Sequence, residues 1–217
     1  TFDYGYAVTI QVVDSEEKIV VVGVVSGADN DFGVLRYNSN GSLDTTFNAG
    51  GALPPYTEGV VTTDFNTTDD QAWAVAIQPT DNKIVVTGHS NVGSPSLSDF
   101  ALARYNVDGT LDTTFNPTGA FGGSPNNPGM VTTAVGATVG DYAKAVAIQW
   151  DDKIVLAGYD NNDLGVVRYN SNGSLDITFN PGGMFPPYIE GILTTSFGTS
   201  DYGYGVAIQS NGKIVAA

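Results

Sequence analysis

The pentapeptide AVAIQ occurs at residues 74–78 and again at 145–149, and its variant GVAIQ occurs at 205–209. Three other features keep nearly constant distances from these copies: a lysine before an apolar run, an arginine before Tyr-Asn, and an aspartate before x-Thr-Phe. Repetition at tens of residues is typical of arrays in which each unit buries its apolar surface by stacking on the next. The sequence therefore predicts a repeat protein. The lysines are Lys18, Lys83, Lys153 and Lys213, the arginines are Arg36, Arg104 and Arg168, and the aspartates are Asp44, Asp112 and Asp176.

Each unit is predicted to contain four short strands, because apolar runs alternate with turn residues and no helical period competes with them. In the second unit the strands are AVAIQ, KIVVTG, DFALARY and VTT, and the first hairpin turns at 79–82. AVAIQ is apolar on both faces, with Val75 and Ile77 on one side and Ala74 and Ala76 on the other. We expect this strand to be buried on both sides. The polar, β-branched VTT is expected to form a solvated edge.

A sheet with an apolar inner strand and a polar outer strand describes one blade of a β-propeller, which closes about four to eight blades around a channel. The predicted fold is all-β, a propeller of four-stranded antiparallel blades, with about three and a half blades in this chain. Three complete units are too few to close a ring of ordinary size, so we expect further repeats of the same protein, or another copy of it, to complete the propeller. An open stack of sheets is the alternative. The predicted units are blade 1 at 1–71, blade 2 at 72–141, blade 3 at 142–201, and the first strands of blade 4 at 202–217.

Composition limits the classes of function. The 217 residues include 8 basic and 23 acidic side chains and no cysteine, which gives a net charge of -15. This charge repels phosphate backbones and anionic lipid surfaces, and no apolar run reaches the roughly 20 residues that cross a bilayer. We therefore expect no nucleic acid partner and no membrane insertion. The acidic, lysine-poor surface favours an extracellular or cell-surface location in a bacterium.

The string KIVVTG followed by DFALARYNVDGTLDTTF, within residues 83–115, is similar to the bacterial delta-60 repeat. About a dozen of its positions agree in three copies along this chain. The resemblance implies propeller-like repeats in a large secreted or surface protein. It implies location and architecture more than chemistry.

Acidic residues recur five positions before the arginines, at Asp31, Asp99 and Asp163. An anion or sugar site is one interpretation. Because every complete unit has the pair, we expect instead a structural ion pair between strands or blades, in which arginine offers its two-pronged guanidinium.

Few residues suggest a cofactor or a catalytic group. The stretch NVDGTLD at 106–112 resembles a calcium loop, but the other copies carry less charge and no bidentate glutamate follows. We expect a hairpin turn there, with Leu111 in the core and Asp112 capping backbone amides, so calcium is the only cofactor left open and no metal site is predicted. His89 is the only histidine, has no nucleophile motif beside it, and is expected in a surface loop. No catalytic residue is predicted.

The inserts before the fourth strands are the predicted contact sites. Tyr56 with Glu58, and Tyr188 with Glu190, place an aromatic face and a hydrogen-bond acceptor beside paired prolines. This chemistry suits sugar stacking or protein contact, although packing over the blade edge explains it equally well.

The predicted function is a non-enzymatic scaffold or adhesion module that recognises protein or glycan through rim loops. Two alternatives stay open. One is a structural subunit of an extracellular filament or appendage, and the other is a glycan-acting hydrolase that uses acidic residues at the channel mouth.

Overall fold

The computed structural model describes residues 3–27, 29–51, 58–65, 69–91, 98–119, 127–136, 140–160, 162–183, 189–198 and 200–217. These residues form three four-stranded antiparallel sheets and one two-stranded sheet, each built from consecutive strands. The predicted all-β class and the order of the four strands within a unit are confirmed. None of the described helical segments is long and apolar enough to cross a membrane.

Sheet 1 consists of β1 (Tyr4–Val13), β2 (Glu16–Ser26), β3 (Asn30–Asn38) and β4 (Val60–Thr63). Sheet 2 consists of β5 (Asp70–Ile77), β6 (Ile84–Asn91), β7 (Ser98–Tyr105) and β8 (Met130–Thr133). Sheet 3 consists of β9 (Asp141–Ile148), β10 (Ile154–Asp160), β11 (Asp163–Tyr169) and β12 (Ile192–Thr195), with a short 3-10 helix at Pro181–Gly183 before β12. The half-sheet consists of β13 (Val206–Ile208) and β14 (Ile214–Ala216).

The sheets stack face to face in chain order. We call the face that packs on the preceding sheet the leading face, and the opposite face the trailing face. Val75 and Ile77 of β5 point towards sheet 1, and Val146 and Ile148 of β9 point towards sheet 2. The apolar residues of the inner strand therefore belong to the contact between sheets, as strand alternation predicts.

Polar contacts repeat at each junction between sheets. The Arg36 Nη1 atom donates a hydrogen bond to the carbonyl oxygen of Val107 at 2.5 Å, and Arg104 Nη1 donates to the carbonyl of Ser171 at 2.6 Å. The hydroxyl of Tyr169 donates to Thr133 Oγ1 at 2.7 Å. Since buried polar groups are costly unless they are paired, these bonds fix the position of one sheet on the next.

The fourth strand differs from the solvated edge that the sequence predicts. All four residues of β8 are buried, and β4 and β12 are partly buried. The expectation was wrong because the third strand of the following sheet reaches this edge: the Tyr105 hydroxyl lies 2.7 Å from Thr63 Oγ1 across the sheet 1–sheet 2 junction. The threonines are polar because they bond to a neighbouring sheet.

The prediction that the inner strand is buried on both sides holds only in part. Residues of β5 and β9 are mostly half-buried, whereas Val8, Ile10 and Val12 on the leading face of β1 are exposed. No described residue packs over that face of β1. Burial of the inner strand therefore depends on a neighbouring sheet.

Candidate functional site

A β-bulge shapes the start of every complete inner strand. The pairing of the first two strands shifts by one residue in each of the three sheets, which leaves Tyr6, Trp73 and Lys144 as the extra residues. A bulge re-aims the side chain that it inserts. The same position of three successive sheets therefore presents a large side chain at one end of the stack.

A glycine on the second strand makes each bulge possible. A Cβ atom at Gly88 would lie 1.7 Å from the backbone oxygen of Gln71. Gly23 and Gly158 show the same approach, at 1.8 Å from the oxygen of Tyr4 and 1.9 Å from that of Tyr142. This glycine is the last residue of the repeated KIVVTG motif. Its place in the motif is explained by the bulge, which brings the backbone of the first strand too close for a side chain.

The bulge residues and their neighbours form a continuous line of rings, which we call the aromatic row. Neighbouring ring centroids in the row are 4.2 to 6.5 Å apart. Aromatic side chains attract one another at distances of about this size. The row crosses all three junctions between sheets. Its rings belong to Tyr4, Tyr6, Trp73, His89, Tyr142, Tyr159, Tyr202 and Tyr204.

Trp73 lies at the centre of the row. Tyr6 stacks on it at 4.2 Å between centroids, and Lys144 Nζ lies 3.3 Å from its ring centroid. Burial lowers the pKa of Lys144 to about 8. Among the described residues Lys144 makes no salt bridge, so the aromatic faces of Trp73, Tyr142 and Tyr159 are the groups that offset its charge.

His89 is part of the row and is only 4% exposed, so the predicted surface-loop position was wrong. The strand β6 continues past the KIVVTG motif to Asn91, which places His89 inside the sheet. The Trp73 Nε1–H donates to His89 Nδ1 at 3.1 Å. A nitrogen that accepts this bond carries no proton.

We expect His89 to resist protonation. Burial, and then the charge of Lys144, lower its pKa to about 4, while the charge of Asp69 opposes them. Because the unfolded chain takes up the proton near the ordinary histidine pKa of about 6.5, this residue lowers stability as pH falls from about 6.5 towards 4. An NMR titration of the only histidine should give a midpoint near 4, and a midpoint near 6.5 would contradict the buried geometry.

An aspartate at the start of β5, and another at the start of β9, ties its strand to the sheet before it. Asp70 accepts the backbone N–H of Phe65, and Asp141 accepts the N–H of Val135 at 2.6 Å. Asp141 also lies against Asp160, and burial followed by the proximity of this second carboxyl raises the pKa of Asp141. The pair is expected to share a proton, since two carboxylates in contact do not both ionise readily.

Three carboxyl groups, those of Asp31, Asp64 and Asp70, have oxygen atoms within 4.8 Å of one another. Burial, and then the charges of Asp64 and Asp70, raise the pKa of Asp31 to about 6. These oxygens are the described groups best placed to hold a hard cation such as calcium. The group lies away from the NVDGTLD turn that suggested calcium in the sequence.

The opposite end of each sheet carries a repeated ionic cluster. In sheet 2, Asp112 Oδ2 lies 2.7 Å from Arg104 Nη2 and 2.9 Å from Lys83 Nζ. Asp44 and Asp176 hold the corresponding cations in sheets 1 and 3. Each aspartate also accepts the backbone N–H and hydroxyl of the threonine two residues on, which confirms the predicted capping role.

The predicted ion pairs between Asp31, Asp99 and Asp163 and the arginines were wrong. Five residues of extended strand separate each aspartate from its arginine, a distance of roughly 16 Å, and an odd separation places them on opposite faces. Asp99 is instead half-buried, and this burial raises its pKa to about 6. The arginines take partners eight residues later, beyond the turn.

The turn at 106–112 is a hairpin-like turn, as expected. The Asn106 N–H donates to the Thr110 carbonyl at 2.8 Å, and the Asp108 side chain accepts the Thr110 N–H at 3.0 Å. Leu111 packs against the core between sheets 1 and 2. The oxygen atoms that resembled calcium ligands are therefore hydrogen-bond acceptors within the turn.

Of the four predicted contact residues, Glu58 and Glu190 are described, and they lie at the end of the stack away from the aromatic row. Tyr56 and Tyr188 are outside the described residues. Glu58 and Glu190 are exposed and precede β4 and β12, at the end where the third strands finish, and Glu190 accepts the Gly182 N–H at 3.1 Å. Their role in binding stays a prediction.

The four-stranded antiparallel sheets stack in chain order and share their motifs, which is the arrangement of blades in a β-propeller. Residues 18–47, 80–115 and 149–179 match the family model described as "Domain of unknown function (DUF5122) beta-propeller". Each segment spans the second and third strands of one sheet, and the match supports a β-propeller repeat family. The delta-60 name itself stays a prediction. A comparison with curated proteins returned no match.

Proposed function

We propose that the chain is a non-enzymatic binding scaffold of an extracellular or cell-surface protein, and that it binds a glycan along the aromatic row. The observation that carries the proposal is the row itself, which crosses every described junction between sheets. Tyr4, Tyr6, Tyr202 and Tyr204 are exposed, although ring-bearing side chains of this size are normally covered.

The chemistry of the row suits a sugar. One face of a pyranose ring carries C–H groups that pack on an aromatic face, while its hydroxyls need hydrogen-bond partners at the edge. Trp73 is already covered by Tyr6 and Lys144, so the exposed tyrosines supply the stacking faces. Gln71 and Asn30 line a groove beside Tyr4 and Tyr6 and supply polar partners close by. Binding sites commonly combine aromatic lining with a few polar groups in this way.

The two tryptophans of the chain allow a direct test. Trp73 belongs to the row, whereas Trp150 lies in the β9–β10 turn at the other end of the inner strand and is 82% exposed. In a Trp150→Phe protein, the fluorescence of Trp73 should change in a saturable way with neutral or uronic-acid oligosaccharides. Tyr204→Ala should weaken that binding about fivefold, since one stacked ring contributes about 1 kcal/mol.

Trp150→Phe is itself the control, because its affinity by calorimetry should equal that of the unchanged protein. No saturable change with any oligosaccharide would refute a glycan ligand. Equal affinity of the Tyr204→Ala protein would show that the row is not the binding surface.

A structural role in a filament or appendage is the second candidate, favoured by the exposed apolar face of β1. Large apolar patches on soluble proteins commonly mark contact surfaces.

A further inference from the structure

The bulge position carries a charge in only one of the three complete sheets. Its extra residue is Tyr6 in sheet 1 and Trp73 in sheet 2, but it is Lys144 in sheet 3. Residues that every unit shares are explained by the fold that they build. A lysine at a position that holds rings in the other sheets is not required by the repeat, so it is a candidate for a specific function.

Most basic side chains of the chain have acidic partners. Of the eight lysines and arginines, six form salt bridges with aspartates. The other two are Lys144, and Lys213 in the β13–β14 turn. Lys213 is exposed to water, whereas Lys144 is half-buried where sheet 3 meets sheet 2. Within the described ranges, Lys144 is therefore the cation that is both partly buried and without a carboxylate partner.

Aromatic faces surround the ammonium group of Lys144. Its Nζ atom lies 3.3 Å from the ring centroid of Trp73, 5.4 Å from that of Tyr142 and 5.8 Å from that of Tyr159. The lysine and all three rings are partly exposed, so a bound molecule can reach them. Burial lowers the pKa of Lys144 to about 8, and the side chain is still mostly charged at pH 7. A ring face attracts a cation but brings no opposite charge, so an anion beside Nζ would stabilise the ammonium further.

The acidity of the chain does not prevent an anion from approaching this site. The net charge of -15 acts over long distances, and at about 0.15 M salt charges more than about 8 Å apart are largely screened. Asp141 begins the strand that carries Lys144. Burial, and then contact with Asp160, raises the pKa of Asp141, so this pair carries less charge at neutral pH than two free aspartates.

We propose that the glycan bound along the aromatic row carries an anionic group, a carboxylate or a sulfate, and that Lys144 is the residue that binds it. This inference rests on the glycan site proposed above. The sugar ring packs on the aromatic faces beside Lys144, and its anionic group forms the salt bridge that Lys144 does not make with described residues. Lys144 thereby gives the row a preference for acidic over neutral sugars.

Calorimetry with matched oligosaccharides tests the assignment. The probes are a trisaccharide that contains one glucuronic acid, the methyl ester of that acid, and a neutral trisaccharide with and without one sulfate. We expect the full chain to bind an acidic probe about fivefold more tightly than its uncharged counterpart, as a partly exposed ion pair allows. Lys144→Gln should bring this ratio of affinities to about one, whereas Lys144→Arg should preserve it. The pair of probes whose ratio depends on Lys144 identifies the anion as a carboxylate or a sulfate.

Lys213→Gln is the matched control. It removes one positive charge from an exposed turn at the other end of the strands. The ratio of affinities should equal that of the unchanged protein. An equal fall of the ratio in Lys213→Gln and Lys144→Gln would mean that net charge, and not a contact at Lys144, sets the preference.

A second measurement needs no substitution. The NMR titration of the Lys144 side chain should move to a midpoint above 8 when the acidic probe is bound, because an adjacent anion favours the charged amine. The uncharged probe should leave the midpoint near 8. The signal is read at the carbon next to Nζ, which separates it from the titratable rings that surround Lys144, those of His89, Tyr142 and Tyr159.

The outcomes separate this inference from the glycan site on which it rests. Equal affinity of the unchanged protein for acidic and uncharged probes would overturn the inference and leave the glycan site standing. A preference that survives in Lys144→Gln, or a Lys144 midpoint that the acidic probe does not move, would also overturn it. If no probe binds, the glycan site and the inference both fail.

Discussion

Replacing Asp112 with alanine is expected to lower the free energy of unfolding by about 3–5 kcal/mol. Arg104 and Lys83 both depend on the same Asp112 oxygen, and Arg104 is buried beside it. Removal of the carboxylate leaves a buried guanidinium without a counter-charge. It also frees the N–H and hydroxyl of Thr114, which Asp112 accepts at 3.0 and 2.6 Å. Urea denaturation followed by far-ultraviolet circular dichroism measures the loss.

Asp81 supplies the control for this prediction. It also contacts Lys83, at 3.4 Å, but its side chain is 38% exposed. Asp81→Ala should therefore cost less than about 1 kcal/mol, as exposed ion pairs usually do. Equal losses for the two substitutions would mean that the cluster around Asp112 is solvated and contributes little.

The same cluster gives stability a dependence on pH. Burial by itself raises the pKa of Asp112, but hydrogen bonds from Thr114 and Lys83 and the charge of Arg104 outweigh it and hold this pKa at about 2. Because the folded-state pKa of Asp112 lies below the unfolded value of about 3.9, its carboxylate stabilises the fold above a pH of about 3.9. This stability is lost as pH falls towards 2.

Gly88→Ala is expected to destabilise the protein by about 3 kcal/mol and to disturb the aromatic row. The new Cβ would overlap the backbone oxygen of Gln71, which no side-chain rotation relieves. The bulge at Trp73 must then open, so the near-ultraviolet circular dichroism of the stacked Tyr6 and Trp73 rings should fall together with stability.

Gly205→Ala is the control for a glycine in an inner strand. Gly205 stands at the position of Ala74 and Ala145, and the nearest atom to its Cβ would be the Ala217 oxygen at 3.9 Å. This substitution should be tolerated. If Gly88→Ala were tolerated equally well, the bulge would not require the close approach of the two strands.

The repeated motifs predict the sheets well because each motif residue has a local role. The lysine, aspartate and arginine that recur in each unit meet in one cluster, and the apolar side chains of AVAIQ face the preceding sheet. The aspartate that pairs with each arginine was not predicted, because strand alternation relates only residues along one strand. The true partners return to the sheet after a turn, and they are Asp44, Asp112 and Asp176.

The aromatic row could not be predicted by alternation alone. A bulge inserts one residue, so Ala72 and Val75 share a face although they are an odd number of positions apart. One feature of the sequence does indicate the row: a large side chain recurs directly after a Gly or Ala near the start of each inner strand. The three segments are Asp-Tyr-Gly-Tyr, Asp-Gln-Ala-Trp and Asp-Tyr-Ala-Lys. His89 and Tyr159 join the row from the second strand, at a position that holds Val24 in sheet 1 and is therefore not a repeat feature.

The central claim is that stacked sheets bring their bulge residues together at one end. The chemical shift of the Lys144 side-chain CH₂ groups tests it most directly, because Lys144 Nζ lies 3.3 Å from the Trp73 ring centroid on the adjacent sheet. We predict proton resonances shifted upfield by the indole ring current, lost in Trp73→Leu and retained in Trp150→Leu. Lysine shifts at ordinary values in the unchanged protein would contradict the stacking of these sheets.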